Sequence, residues 1–177
     1  YGLPMWGTAG VSDSNLLDEQ CGAEWAISLL MAGFDGANLI HDIGYMGQGL
    51  VGSPAALVMN AEIISYVRRV VRGFDVDDDH IAMDVIREVG PQGEFISTKH
   101  TMQYFRQEHW QPSLFNRKSI EGWTAAGKKS WGQESIAKAK EILTKHEPSP
   151  LAGSVQEDMD AIREAALKQL ENKHIEC

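Results

Sequence analysis

The sequence predicts an α/β fold at its amino-terminal end, followed by helices alone. Three observations carry this: two short apolar segments each lead into a helix of amphipathic spacing, the connections are long enough for crossovers, and no strand signal recurs after Phe74. Strands joined through helices pair in parallel, because the chain must return to the same end of the sheet before the next strand begins.

Each element has a local cause. Leu3 to Trp6 is the first strand, ending in the turn-prone run Gly7-Thr8-Ala9-Gly10. Ser12 to Ser14 offer caps to a helix in which Ala23, Ile27, Leu30, Met31 and Phe34 recur at helical spacing, and Gly33 to Gly36 end it. Ala37 to Ile40 is the second strand, and the loop beyond it carries Gly44, Gly47, Gly49 and Gly52. Ser53 followed by Pro54 starts the next helix: the hydroxyl caps a free amide, and proline at the first position gives up no needed donor. This helix runs to about Arg72, where Gly73 stops it.

The style then changes. Asp77 to Asp79 cap a helix through about Glu88, with the acidic run favoured by the helix dipole, and Gly90-Pro91 break it. A further helix spans Thr98 to His109. Two more run from about Glu134 to Lys145 and from Ser154 to Asn172, separated by Glu147-Pro148-Ser149-Pro150. In the last, Val155, Met159, Ile162, Ala166 and Leu170 form one stripe, the pattern of a helix laid against a body. The division expected is thus strand–helix units over 1–74 and a helical extension over 75–177.

Composition narrows the functions. A chain of 177 residues makes one domain, or one with an appendage. Sixteen basic against 25 acidic residues leave a net charge of −9, which argues against a surface made to neutralise phosphates; neither nucleic acid nor a membrane is an expected partner. No apolar run approaches the roughly 18 residues of a membrane span. With only Cys21 and Cys177 there is no disulfide framework, and a cytoplasmic compartment is expected. The chain opens Tyr1-Gly2-Leu3-Pro4-Met5-Trp6-Gly7, with neither an initiator methionine nor a signal segment, and is expected to be a carboxy-terminal piece of a longer protein.

The candidate chemistry gathers around His41-Asp42, where the second strand meets the glycine loop. Carboxyl ends of parallel strands hold side chains rigidly beneath variable loops. His41 is therefore either a site residue or a strand-end histidine bonded to backbone. Asp42 either orients an imidazole from a neighbouring strand or bonds turn amides. Trp6 and Tyr45 are expected near strand ends, either as faces of a cation cage or as packing aromatics. Gly44 to Gly49 match no dinucleotide or phosphate fingerprint. His100, His109 and His146 lack a partner at helical spacing, so no metal site is expected. Arg68, Arg69 and Arg72 read as a solvated helix face, and Cys21 as a small hydrophobe.

Several stretches resemble the carboxy-terminal part of the trimethylamine methyltransferase superfamily of corrinoid-dependent enzymes. They are Gly7-Thr8-Ala9-Gly10-Val11-Ser12-Asp13, Gly36 to Ile40 with the glycine loop, Val67 to Gly73, Asp84 to Pro91, His100 to Phe105, and His146-Glu147-Pro148. The likeness covers nearly the whole chain in order. It implies the carboxy-terminal part of a (β/α)8 TIM barrel followed by an all-helical tail packed on it. It further implies that a methyl group leaves nitrogen for the Co(I) of a corrinoid on a separate corrinoid-binding protein, with none bound tightly by this chain. A homo-oligomer is expected as well. Archaeal members acting on trimethylamine carry pyrrolysine; this sequence has none, and its corresponding loop resembles Tyr45 to Gly49. The pyrrolysine-free branch, whose characterised substrates are quaternary amines such as glycine betaine, is the better likeness.

Leaving-group chemistry agrees with that branch. A tertiary amine must be activated before it leaves, whereas a quaternary nitrogen departs as a neutral amine without an acid. The protein's task becomes holding a trimethylammonium group in a dry aromatic site with one methyl pointed outward. On this reading Trp6 and Tyr45 form the cage, the Gly7 backbone bonds the substrate's carboxylate, His41 positions the substrate or meets the corrinoid face, and Gln48 contacts the corrinoid. The alternatives are a non-catalytic helical binding module and a trimethylamine:corrinoid methyltransferase.

Overall fold

Two three-residue strands, β1 (Trp6–Thr8) and β2 (Leu39–His41), pair in parallel in the computed structural model, which describes residues 2–171. Trp6 lies opposite Leu39, Gly7 opposite Ile40 and Thr8 opposite His41. The crossover is α1 (Glu19–Phe34). The parallel pairing through a helix is as the sequence implies, but β1 sits further along than the expected Leu3 to Trp6. Gly7 and Thr8, which read as a turn, are strand residues because the β2 ladder supplies hydrogen bonds that their local propensity does not.

The start of α1 is also displaced. Its cap is Asp18, whose carboxylate accepts from the Cys21 amide at 3.1 Å, not Ser12 to Ser14. Those serines are committed elsewhere: the Ser12 hydroxyl donates to Glu24 at 2.6 Å and the Ser14 hydroxyl to Asp18 at 3.0 Å. Local side-chain bonds of this kind hold a loop in competition with a helix. The buried stripe of α1 is Cys21, Trp25 and Leu29, whereas Ile27, Met31 and Phe34 of the expected stripe are exposed. Both faces are apolar, so periodicity alone does not choose between them.

The glycine-rich segment after β2 is not a plain loop. It forms an antiparallel hairpin of β3 (Tyr45–Met46) and β4 (Val51–Gly52). Then α2 (Pro54–Arg72) begins and ends where its sequence says: the Ser53 side chain accepts from the Ala55 amide and Gly73 closes it at φ +69°. Packing of α1 on α2 makes the core, in which Cys21, Trp25 and Leu29 meet Ala56, Met59 and Ile63.

Helices follow without further strands among the described residues. Asp77 caps α3 (Asp78–Ile81), and Ala82 in a left-handed conformation, φ +54°, separates it from α4 (Met83–Val89), so the single helix expected there is two. The next, α5 (Lys99–Glu108), starts from Thr98 as expected. A short helix not expected, α6 (Ile120–Ala125), is capped by the Ser119 hydroxyl oxygen accepting from the Gly122 amide. After it comes α7 (Trp131–Lys145), three residues earlier than expected.

By compactness the chain divides into one unit reaching to Leu143 and another from Thr144. The second contains α8 (Gly153–Glu171), along which Val155, Met159, Ile162 and Leu170 are exposed. The helix end expected at Asn172, the opening Tyr1 and Cys177 lie outside the described residues. The two sheets are two-stranded and no closed barrel is formed among the described residues. No described helix is long and apolar enough to cross a membrane.

Within the first unit, α5 and the segment 113–115 are tied to α2 by polar clasps. Glu62, 5% exposed, accepts from the backbone amides of Ser113, Leu114 and Phe115 at 2.8–3.2 Å and from the Ser113 hydroxyl. Arg69 donates to the Glu108 carboxylate at 2.7 Å and to its carbonyl at 2.8 Å; Arg72 donates to the Gln107 carbonyl and to Glu108. The expectation of a freely solvated arginine face therefore holds for neither Arg69 nor Arg72. Both cap the last turn of α5, where free carbonyls and the dipole favour cations.

Candidate functional site

Alternation along a strand sorts β1 and β2 into two faces. Ile40 packs against the α1–α2 core, and Gly7 lies opposite it. Trp6, Thr8, Leu39 and His41 consequently share the other face, where Trp6 is 68% and Leu39 53% exposed. On that face the Trp6 and His41 rings meet edge to face, 5.3 Å between centroids and 88° between planes. The Thr8 hydroxyl is 3.1 Å from His41 Nε2. His41 Nδ1 is 2.8 Å from the Asp42 carboxylate.

That last contact needs an unusual backbone. Side chains of consecutive strand residues point to opposite faces, so Asp42 reaches the ring of its own neighbour only because it leaves the strand at φ +69°. Aspartate is among the few residues that tolerate this region. The Asp42 carboxylate thus lies against an imidazole, that of the preceding residue and not one from a neighbouring strand.

The loop after β1 is pinned against α1. Glu24 accepts from the Ser12 hydroxyl and from the Asp13 amide at 2.9 Å, and the Gly10 amide donates to the Ser28 hydroxyl at 3.1 Å. Hydrogen bonds from Ser12, Gln20 and the Asp13 amide hold the Glu24 carboxyl below its ordinary value. Gly10, at φ +76°, is required: a Cβ there would lie 2.7 Å from Asn60 Oδ1 and 3.3 Å from the Ile43 backbone. Trp25 extends the support to the hairpin, its indole N–H reaching the Tyr45 carbonyl at 3.4 Å.

The expected site residues are therefore only partly brought together. Trp6 and His41 are in contact, but Trp6 opens β1 and does not stand at its carboxyl end. Tyr45 is 43% exposed in β3, its ring beside Gly52 on the opposite strand of the hairpin. Gln48 stands exposed at the hairpin tip with φ +60°, between Gly47 and Gly49. The ladder bonds on either side of Gly7, Leu39 N–H to the Met5 carbonyl and Ala9 N–H to the His41 carbonyl, alternate so that the Gly7 amide faces β2. The amide expected to meet a carboxylate is thereby turned toward the ladder.

Sequence reasoning missed Thr8 and Glu24. The signal for Thr8 was available, since a parallel pairing that aligns Gly7 with Ile40 puts Thr8 beside His41. Glu24 carries none, because a glutamate in an amphipathic helix reads as surface. Among the described residues no group of three or more His, Cys, Asp or Glu side chains converges on a possible metal position.

A parallel strand pair backed by its crossover helix, with aromatic and polar groups gathered on the opposite face, has the layout of an α/β ligand site. The family model described as trimethylamine methyltransferase (MTTB) matches residues 1–167, and the chain belongs to that family. It is 34% identical over 164 residues to a trimethylamine methyltransferase of Desulfitobacterium hafniense, covering 93% of this chain and 33% of that protein. It is 30% identical over 168 residues to a trimethylamine methyltransferase of Methanosarcina barkeri, covering 95% of this chain and 34% of the other. A glycine betaine methyltransferase of Desulfitobacterium hafniense is 30% identical over 162 residues, 91% and 34% of the two chains. The chain thus spans about a third of the length of these relatives.

Proposed function

We propose that this chain is the carboxy-terminal portion of a corrinoid-dependent methyltransferase, and that the Trp6–Thr8–His41 face of β1–β2 lines its substrate site. The observation that carries the reading is this face, open on the side away from the helices and bearing an exposed indole against a fixed imidazole. In the proposed whole protein the two strands are the last of a (β/α)8 barrel, the face looks into its interior, and the helices after Phe74 extend from it. Family membership supports methyl transfer, and the compartment proposed is the cytoplasm, with the enzyme a homo-oligomer.

The substrate proposed is a quaternary amine of the glycine betaine type. Its C–N bond breaks with the electron pair remaining on nitrogen, so a neutral tertiary amine leaves and no proton is required. Trp6 offers the negative face of its ring to the ammonium, a contact worth about 0.5–2 kcal/mol, and Tyr45 adds its ring if the hairpin closes over the substrate. Gly7 does not reach the substrate, because its amide faces β2 and its Cα hydrogens point with Ile40 away from this face; the substrate's carboxylate takes its donor from another group of the whole site. A corrinoid carried by a partner protein supplies, when bound, the electron pair that takes up the methyl group. The residues present suit such a visitor: Gln48 and Leu50 stand out at the hairpin tip, Leu50 86% exposed, and His41 lies at the end of the strand that leads there.

Calorimetric titration of the intact protein with glycine betaine and with its neutral tert-butyl analogue, both carrying the carboxylate, tests the reading. The charged ligand is expected to bind about five- to thirtyfold more tightly, and Trp6→Leu is expected to shrink that difference. Equal affinities would remove the quaternary-amine assignment. Tighter binding of trimethylamine than of betaine would favour the trimethylamine enzyme instead.

A further inference from the structure

We infer that Asp42 and Thr8 are positioning residues that fix the His41 ring and select the Nδ1–H tautomer of its neutral form, with Nε2 accepting from the Thr8 hydroxyl. This rests on the reading of the β1–β2 face as the methyl-transfer site.

The tautomer follows from donor and acceptor chemistry. An ionised carboxylate only accepts, so at 2.8 Å from Asp42 the ring nitrogen Nδ1 carries the hydrogen. A neutral imidazole has one N–H, and Nε2 must then be the acceptor. Across the ladder stands the one neighbour on that face that both accepts and donates, the Thr8 hydroxyl at 3.1 Å, which turns its hydrogen toward Nε2. The Trp6 ring, perpendicular to the imidazole at 5.3 Å, borders it on the same face. Two hydrogen bonds at opposite nitrogens fix both the tautomer and the rotation of the ring.

The arrangement has been reached at a cost. Asp42 occupies the left-handed region, which side chains other than glycine adopt seldom. Without that backbone the carboxylate would project to the other face of the sheet and the imidazole would lose its Nδ1 partner.

The experiment uses the intact protein labelled with 15N-histidine, with the His41 signals assigned by their loss in His41→Gln. Neutral His41 is expected to show protonated Nδ1 and unprotonated Nε2. Asp42→Asn keeps a residue that accepts the left-handed backbone but offers its amide hydrogens, and is expected to move the ring proton to Nε2. That variant is expected to lose about tenfold or more in kcat with KM little changed. Thr8→Val is expected to lose about fivefold, and Thr8→Ser to restore most of it. Wild-type His41 found protonated at Nε2 overturns the inference whatever the activities are. The stated tautomer with full kcat in both Asp42→Asn and Thr8→Val overturns the positioning role alone. Full turnover by His41→Gln overturns the site reading and the positioning role with it, while the tautomer stands.

Discussion

The region up to Phe74 and the helical region from Asp75 to Leu143 are held by different forces. The first buries its apolar residues in a continuous core between α1 and α2, with Trp25 completely enclosed. In the second, α3, α4, α5 and α6 contain no fully buried residue, and its apolar attachment is confined to Phe115 and Trp131 on the core and the buried Ala139 of α7. The rest is fastened by the Glu62 and Arg69 clasps and by ring stacking such as Trp110 on Tyr66, 4.4 Å between centroids. Apolar burial is insensitive to pH, whereas carboxylate and imidazole clasps titrate. The support of the β1–β2 face is therefore the part of the molecule least open to adjustment, and the helices after it are the part that conditions can loosen.

The sharpest way to break this contrast is Trp25→Ala. It empties the core, removes the hydrogen bond to the Tyr45 carbonyl, and is expected to cost about 3–5 kcal/mol in denaturant unfolding of the intact protein. A smaller cost than that of the Glu62 variant below would mean that the core is not the principal support.

Glu62→Gln is expected to cost about 1.5–3 kcal/mol, and to expose the Ser113 to Phe115 amides to hydrogen exchange while the α1 amides stay protected. Burial by itself would raise the Glu62 pKa. The Ser113 hydroxyl and the amides of Leu114, Phe115 and Ser113 outweigh it and hold the group below the ordinary 4.5. A depressed carboxylate stabilises fully above its unfolded pKa, and that contribution fades as pH falls below 4.5 and through the lower folded value. Acid should accordingly release the 113–115 segment before the core, and simultaneous exchange of both would contradict the contrast.

The smallest effect lies at α3. The hydrogen bond to Asp77, reinforced by the charges of Asp77, Asp75 and Glu108, raises the His80 pKa above 6.5, and the ring lies on Tyr104 at 4.8 Å. His100 meets the same tyrosine at 4.6 Å, and the tyrosine hydroxyl donates to Asp79. A raised imidazole stabilises fully below its unfolded pKa and ceases to as pH rises through the folded value. Hydrogen exchange of α3, corrected for its intrinsic pH dependence, should therefore show lower protection on the alkaline side. His80→Gln should abolish the difference.

Local chemistry was readable where its cause is local. Ser53, Pro54 and Gly73 delimit α2, Thr98 opens α5, and the crossover spacing implies the parallel pair. Distant causes were not readable. Glu62 is buried by a segment some fifty positions on, and the chosen face of α1 depends on α2. The break at Ala82 has neither glycine nor proline to announce it, whereas Ser119 before α6 was a usable cap that went unread. At the site, the strand end pointed to His41 and its aspartate. The partnership with Thr8 needed the ladder register, and the left-handed turn that brings Asp42 back to the ring has no sequence signature beyond tolerance for it.

The central claim, that the β1–β2 face carries methyl transfer, is tested most directly by His41→Ala in the intact protein. The measurement is the rate of methyl transfer from glycine betaine to the Co(I) corrinoid of the partner, alongside the melting temperature. The account predicts a loss of more than about tenfold in rate with a melting temperature within a few degrees of the parent, since His41 lines an open face and supports no core packing. Unchanged transfer, or unfolding that accounts for all the lost activity, would contradict it.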